Sequence, residues 1–552
     1  MNKNIPLTTF LILSIFSALE ISAQPIILNW DKTYGGNSRD WNTQIINNGN
    51  GHVFMIGDSQ TDVDGDKTTP LCNIQPDHSD IWLIKSDVDG NIIWQRNYGA
   101  ENNETAPKLL LLSNAAGEMI FTCYSNSDIA CDKTGDNRDT VPLLSSDYWI
   151  VKLDSNGVII WEKTIGGENF DELNKIAVLS NGNLVIAGES ISPVGYDKSV
   201  PNYSISKDIW VVILDPNGNK ISDHIFGGDG GEFISSILPD NNGGYLITGS
   251  TNSGISGDVS QTSQGNFDFW MIKVDNQGNK VWDKRFGGAA PDICNHASVT
   301  NDGGYILAGY TVSPQGGDVS QTPRGLQDYW VVRTNSSGIK VWDKRFGGSG
   351  GSFGTHVAAD VQGAFWLTGY TNSTATNDVS ENSYGGTDYW HVKLDAGGNK
   401  LLDKRFGGSG NDFGTGISIL NDTTFMAFGY SDTGSSAVKT AISKGWFDYW
   451  VVKFTEPDTT SGIFENAYSL TDFSISPNPA NQVFQLQFNS NQNDESEITV
   501  ADISGRILMK QNIMIVSGIN KISTDISMIA QGVYIVNLSN NSHKLSTVLI
   551  KQ

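Results

Sequence analysis

The sequence predicts an all-β protein: a seven-bladed β-propeller of four-stranded blades, closed by its N-terminal strand and followed by a small C-terminal β-sandwich. Three observations predict it. The first is a period. VWDKRFGG stands at Val281–Gly288 and again at Val341–Gly348, and LLDKRFGG at Leu401–Gly408. Weaker copies begin at Trp30, Trp94, Trp161 and Ser222. A DxW triplet keeps step, opening at Asp80, Asp147, Asp208, Asp268, Asp328, Asp388 and Asp448, with gaps of 67, 61, 60, 60, 60 and 60 residues. A fixed period of this length indicates a repeat architecture. The second is strand character. In Tyr305–Tyr310 and Asp328–Arg333 both alternating faces are apolar, so these strands are covered on two sides, as in blades packed between neighbours. The third is a mismatch at the ends. The repeats open with a lone last strand, Trp30–Tyr34, and stop after a lone third strand, Trp450–Phe454. Pairing these two closes a ring and removes an open sheet edge.

In chain order, Met1–Ala23 reads as a secretory signal. Lys3 gives the positive start, Leu7–Leu19 the apolar run, and cleavage is expected before Gln24. The run is short for a membrane span, and no transmembrane segment is expected in the mature chain. Residues 24–454 are the repeats. Each unit offers strand a (SFGTHVAAD from Ser352), strand b (AFWLTGYT from Ala364), a long polar connection, strand c (DYWHVKLD from Asp388), a tight turn and strand d (DKRF). Turns such as Asp275-Asn276-Gln277-Gly278-Asn279 supply the Gly and Asx residues that hairpins need. Residues 455–470 read as a linker and 471–552 as a second domain.

The net charge is −24, and residues 24–470 carry nearly all of it, with 30 basic against 53 acidic side chains. Such a surface repels phosphate backbones, so nucleic acid is not an expected partner. Of the four cysteines, Cys72, Cys123, Cys131 and Cys294, none is spaced for metal ligation. A Cys72–Cys131 or Cys123–Cys131 bridge is open, and Cys294 is expected to be a buried thiol.

Two resemblances follow. The repeats, as in GGSGGSFGTHVAADVQGAFWLTGYTNS and GGTDYWHVKLDAGGN, resemble the β-propeller repeat of bacterial secreted proteins, which implies a propeller and no reaction. Residues from Phe473 resemble the C-terminal sorting domain of the type IX secretion system of Bacteroidota. Its elements are Pro477-Asn478-Pro479, Asp502-Ile503-Ser504-Gly505-Arg506, Gly532-Val533-Tyr534-Ile535 and a basic end, Lys544 to Lys551. That resemblance implies an immunoglobulin-like sandwich, the type IX machinery as partner, and a product that is secreted or held on the outer cell surface.

No HExxH, P-loop or CxxC motif is present, and no catalytic or cofactor residue is named. The DxW carboxylates occur in every unit and read as scaffold. Asp62, Asp64 and Asp66 resemble the start of a calcium loop, but Lys67 and Asn73 replace the Gly and Glu that an EF-hand loop needs. A turn that recurs with Asp136, Asp258, Asp318 and Asp378 is the first reading, and calcium the second. His296 and His356 share one place in adjacent units, and hydrogen bonding or packing is expected there. The b–c loops are longest in units 1 and 2, and long loops on a rigid scaffold carry recognition. His78, Asp132, Asp136 and Asp139, with Trp446 of unit 7, are therefore the ligand-face candidates. The expected function is a non-catalytic binding module for glycan or protein. The alternative is a polysaccharide-acting hydrolase or lyase with its site on that face.

Overall fold

The computed structural model describes residues 26–73, 75, 78–114, 116–138, 145–360, 362–432, 434–456, 470–490, 494–502, 506–516, 518–539 and 544–552. The signal segment, Asp139, Gly505 and most of the linker lie outside them. Every regular element among the described residues is a strand. Among the described residues no helix is long and apolar enough to cross a membrane. The chain divides into two compact units, one of them Pro25–Glu456.

Pro25–Glu456 holds seven antiparallel four-stranded sheets, each in the order a-b-c-d. Sheet 1 is Asp40–Asn47, His52–Ser59, Asp80–Asp87 and Ile92–Tyr98. Sheet 2 is Glu104–Leu111, Met119–Ser125, Asp147–Leu153 and Ile159–Ile165. Sheet 3 is Asp171–Val178, Leu184–Ser190, Asp208–Leu214 and Lys220–Phe226. Sheet 4 is Glu232–Pro239, Tyr245–Thr251, Asp268–Val274 and Lys280–Phe286. Sheet 5 is Asp292–Val299, Tyr305–Thr311, Asp328–Thr334 and Lys340–Phe346. Sheet 6 is Ser352–Ala359, Phe365–Thr371, Asp388–Leu394 and Lys400–Phe406. Sheet 7 is Asp412–Ile419, Thr424–Ser431 and Asp448–Thr455, and takes its fourth strand, Ile27–Tyr34, from the start of the chain. Thr455, read as linker, is thus the last residue of a strand, paired with Ile27 and Thr424.

Strands a of successive sheets pack on one another, and strand a of sheet 7 packs on strand a of sheet 1. Side chains at a bulge in strand a carry the link. Thr43 Oγ1 donates to Pro107 O, Asn295 Nδ2 to Gly354 O, Thr355 Oγ1 to Gly414 O, and Thr415 Oγ1 to Asn42 O. The bulge also explains the glycine of strand b. An added Cβ at Gly309 would overlap the carbonyl oxygen of Ile293. In sheet 2 Cys123 stands there, and strand a makes room with a longer irregularity between Thr105 and Lys108, Ala106 adopting φ 53°.

The DxW triplet is scaffold in all seven sheets. Its Trp is at most 1% exposed. The indole N–H donates to strand d, to Gln95, Glu162, Asp223, Asp283, Asp343, Asp403 and Asp31 in turn. Its Asp accepts a backbone N–H from the b–c loop, that of Cys72, Arg138, Tyr203, Gln264, Arg324, Tyr384 or Lys444.

Each of these buried carboxylates also has one buried cation in its sheet, delivered by one of two routes. In sheets 4, 5 and 6 it is the Arg of strand d. Arg285 Nε and Arg345 Nε lie 2.5 Å from Asp268 and Asp328, and Arg405 lies 3.6 Å from Asp388. In sheets 1, 2, 3 and 7 that strand position is Asn97, Thr164, Ile225 or Thr33, and the cation is a loop lysine, Lys67, Lys133, Lys198 or Lys439, each at most 1% exposed. Where strand d has Arg, the loop position is Val259, Val319 or Val379. The two routes end on the same carbonyl. Lys67 Nζ donates to Thr61 O and Lys133 Nζ to Ser127 O, as Arg345 donates to Ser313 O and Arg405 to Ser373 O. Removing one partner of a buried ion pair costs about 3–5 kcal/mol, so Arg345→Thr is expected to lower stability by that order. Val319→Lys added to it should restore most of the loss, because it rebuilds the arrangement of sheet 7. Guanidinium unfolding midpoints decide this, and a double variant no more stable than the single one would count against the exchange.

The second unit, described from Leu470 on, is a sandwich of a three-stranded and a four-stranded antiparallel sheet. Leu470–Ser476, Val483–Ser490 and Gly518–Asp525 form the first; Ile507–Ile515, Asp494–Asp502, Gly532–Ser539 and Lys544–Lys551 form the second. Phe484, Leu486, Phe488, Val500, Val536 and Leu549 fill its core. The strands Leu470–Ser476, Gly518–Asp525 and Lys544–Lys551 were not expected. The last is the segment read only as a basic end. Pro477 and Pro479 are exposed, and the Asn478 amide between them bonds the final strand both ways, donating to Val548 O and accepting from Ile550 N. Lys551 pairs with Gly532, and Tyr534 donates to Ala530 O.

Candidate functional site

Loops b–c and d–a lie together on one face of Pro25–Glu456. Asp66 bonds Gly35 twice, its N–H donating to Gly35 O (2.9 Å) and its carboxylate accepting from Gly35 N (3.3 Å). Asp132, Asp197, Asp258, Asp318 and Asp378 repeat this with Gly99, Gly166, Gly227, Gly287 and Gly347. The residue of sheet 2 that corresponds to Asp66 is therefore Asp132 and not Asp136. Sheet 3 contributes Asp197, which the sequence reading left out. Asp136 is exposed and accepts from Ile129 N.

Five of these Asp residues fasten their loop to the preceding one. Arg138 pairs with Asp197 (2.9 Å), Tyr203 bonds Asp258, Gln264 bonds Asp318, Arg324 pairs with Asp378 (3.0 Å) and Lys444 pairs with Asp66. Between sheets 1 and 2 a disulfide takes that place. Cys72 and Cys131 are bonded, with Cα atoms 6.1 Å apart. Cys123 and Cys294 are buried free thiols. Asp62 and Asp64 are exposed, and Asp62 accepts from Leu71 N. The three aspartates of the candidate calcium loop thus face separate partners. Among the described residues no group of three His, Cys, Asp or Glu side chains is placed to hold a metal. His78 is half-buried beside Gln75.

Trp446 is 67% exposed on this face. The Arg39 guanidinium lies 5.1 Å from its ring and 5.7 Å from that of Trp41. From Trp41 a row of half-buried rings runs inward of the loops across sheets 7, 6 and 5. Neighbouring centroids are 6.5 Å apart for Trp41–Phe447, 5.5 Å for Phe447–Tyr430, 5.2 Å for Tyr430–Phe413 and 5.2 Å for Phe413–Tyr370. They are 5.1 Å for Tyr370–Phe353 and 5.4 Å for Phe353–Tyr310. Apart from Phe447, which precedes strand c of sheet 7, the row comes from two register positions, the second residue of strand a and the residue after the strand-b Gly, which face each other across the pair. The sequence reading named only Trp446 of this group. The repeated GY within strand b of sheets 5, 6 and 7, with an aromatic as the second residue of strand a in sheets 1, 6 and 7, is the signal that would have found most of the rest.

In sheets 1 and 3 the position of those tyrosines is taken by Asp58 and Glu189. Both are buried, and burial pushes each carboxyl up to about 7. Each holds a backbone N–H on strand a of the next sheet, Ala106 N for Asp58 and Ile234 N for Glu189. His296 and His356 stack with centroids 3.8 Å apart, and His296 Nδ1 lies 3.1 Å from Val357 O.

Residues 474–552 match the family described as "Secretion system C-terminal sorting domain". The chain therefore ends in a type IX sorting domain, one that implies Bacteroidota and directs export to the cell surface or the medium. A stretch of 214 residues is 27% identical to the regulatory protein FlaEY of Caulobacter vibrioides, covering 38% of this chain and 22% of that one. The match thus spans about a fifth of that relative. Among solved structures, Sqt1 from Chaetomium thermophilum is similar at 9% identity over 79% of this chain and all of that one, TM-score 0.40. A fungal alcohol oxidase of the AA5 family, in complex with copper, is similar at 10% identity over 95% and 99%, TM-score 0.38.

Proposed function

We propose that Pro25–Glu456 is a closed seven-bladed β-propeller that works outside the cell as a non-catalytic module for binding glycan. The pairing of Ile27–Tyr34 with strand c of sheet 7, and the packing of sheet 7 on sheet 1, support the closed ring. The observation that carries the function is the row of rings from Tyr310 to Trp41 with Trp446 exposed beside it. Half-exposed aromatic faces in a row suit stacking against successive sugar rings. A rigid scaffold under variable loops is the usual setting for recognition. The site lies over sheets 5, 6, 7 and 1, and Asp132 and Asp136 stand outside it.

The test is a glycan array followed by calorimetry on the best ligand. Trp446→Ala should weaken binding roughly 3- to 10-fold, which is what one stacking ring is worth, with the unfolding midpoint unchanged. Unchanged affinity in that variant, or a ligand held on the short-hairpin face, would retire the proposal.

The second reading is a polysaccharide-acting hydrolase or lyase. The buried Asp58 and Glu189, which interrupt the aromatic pattern, favour it. A depolymerisation screen, repeated with Asp58→Asn and Glu189→Gln, separates it from binding alone.

A further inference from the structure

Four basic side chains converge among the inner strands, away from the aromatic row. The residue after the strand-a bulge is Lys108 in sheet 2, Lys175 in sheet 3, His296 in sheet 5 and His356 in sheet 6. All four are half-buried. Lys108 Nζ donates only to the Thr43 carbonyl, at 3.2 Å. The Lys175 ammonium has no hydrogen bond or ion pair among the described residues. His356 Nδ1 is buried without a partner.

The groups feel one another from different sheets. Burial lowers Lys108 to about 7, and the Lys175 charge adds to it. Burial, together with the ammonium groups of Lys108 and Lys175, takes His356 down to about 3. His296 is lowered by burial and then by His356 and Lys175. The other titratable groups facing them are Asp58, Glu189 and the Cys294 thiol. Asp58 and Glu189 already hold backbone N–H groups, and burial pushes Cys294 up to about 12. The cluster therefore gathers donors from four sheets, and among the described residues neither carboxylate hydrogen-bonds either ammonium.

We propose that Lys108, Lys175, His296 and His356 form a binding site for one tetrahedral oxyanion of the sulfate or phosphate class, as the free ion or an ester. Several oxygens on one small centre match donors that arrive from several directions. A metal cation is disfavoured by the two ammonium groups. The site is independent of the aromatic row.

Calorimetry and histidine ring proton spectra of the full chain test it, with inorganic sulfate, inorganic phosphate and a monosaccharide sulfate ester as probes against sodium chloride at matched ionic strength. Saturable binding with shifts confined to His296 and His356 is expected. Lys175→Gln should weaken it about tenfold or more, as loss of a charge-assisted contact does. Lys175→Arg should retain it and Trp446→Ala should leave it unchanged. Response to an inorganic ion supports a free ligand, and response to the ester alone supports an esterified one. No saturable response to any probe, or equal affinity in Lys175→Gln, overturns the site. Should the Gln variant fail to fold, the wild-type titration decides alone.

Discussion

Deleting residues 25–36 should abolish cooperative folding of the repeat unit. Among the described residues Ile27–Tyr34 is the strand that covers the outer edge of Asp448–Thr455. Asp31 accepts the Trp450 indole N–H at 3.0 Å and the backbone N–H groups of Thr440 and Ala441 at 3.0 and 2.9 Å. Tyr34 is 3% exposed and donates to Gly90 O in sheet 1, at 2.7 Å. Losing the strand strips these partners at once and bares an apolar edge. The expected cost is of the order of a whole domain's stability, about 5–15 kcal/mol. Thermal unfolding followed by near-ultraviolet circular dichroism gives the readout. A peptide of residues 25–36 added in trans should restore part of the transition by strand addition. A deletion variant melting within a few degrees of the full chain would sink the closure.

Truncation after Glu456 should do the opposite: keep the fold and lose the destination. The repeat unit and the tail are separate compact units, so the first keeps its own core without the second. The sorting domain is the part that directs export. Cell fractionation should find the truncated protein folded and protease-resistant inside the outer membrane, with the secreted fraction at background. Normal secretion of the truncated chain would refute the assignment. A milder lesion makes the same point. Asn478→Ala removes both bonds that tie the Pro477–Pro479 turn to the final strand, and secretion should fall while the repeat unit stays intact.

Much of this was legible because scaffold residues recur. Seven copies of one triplet can be aligned by eye, and the unmatched Trp30–Tyr34 and Trp450–Phe454 point to each other. The loops were harder. The sequence alone points to Asp136, whereas the loop is anchored on the glycine pair, through Asp132. The Asp lies 31 residues beyond the first Gly in sheets 1 and 3 and 33 beyond it in sheet 2. Sheet 2 thus carries two extra residues ahead of that anchor, and the loops of sheets 1 and 2 carry more after it, so sequence spacing alone does not align them. The aromatic row was hidden for another reason. Its members are far apart in sequence and meet only when strands a and b of four sheets are side by side. In the tail, Lys544–Lys551 (KLSTVLIK) has the Thr, Val and Ile that favour a strand, but its two end lysines drew the reading to charge, and pairing with Gly532–Ser539 places it in the sheet.

The two routes for the buried cation also tell the strands apart. Strand d has the same sequence in sheets 4 and 5, KVWDKRF, so neither copy carries an address of its own within that half of the protein. Between the halves the address is clear. If the N-terminal strand, with Thr33, settled beside strand c of sheet 5, Asp328 would have Val319 at the loop position and would lose its buried guanidinium partner. If an Arg-bearing strand d settled in sheet 7, Arg and Lys439 would crowd one carboxylate. Either error carries a penalty of the kind that breaking a buried pair incurs, about 3–5 kcal/mol. During assembly the first strand of the chain is thereby steered away from three of the wrong berths and held for one whose loop brings its own lysine.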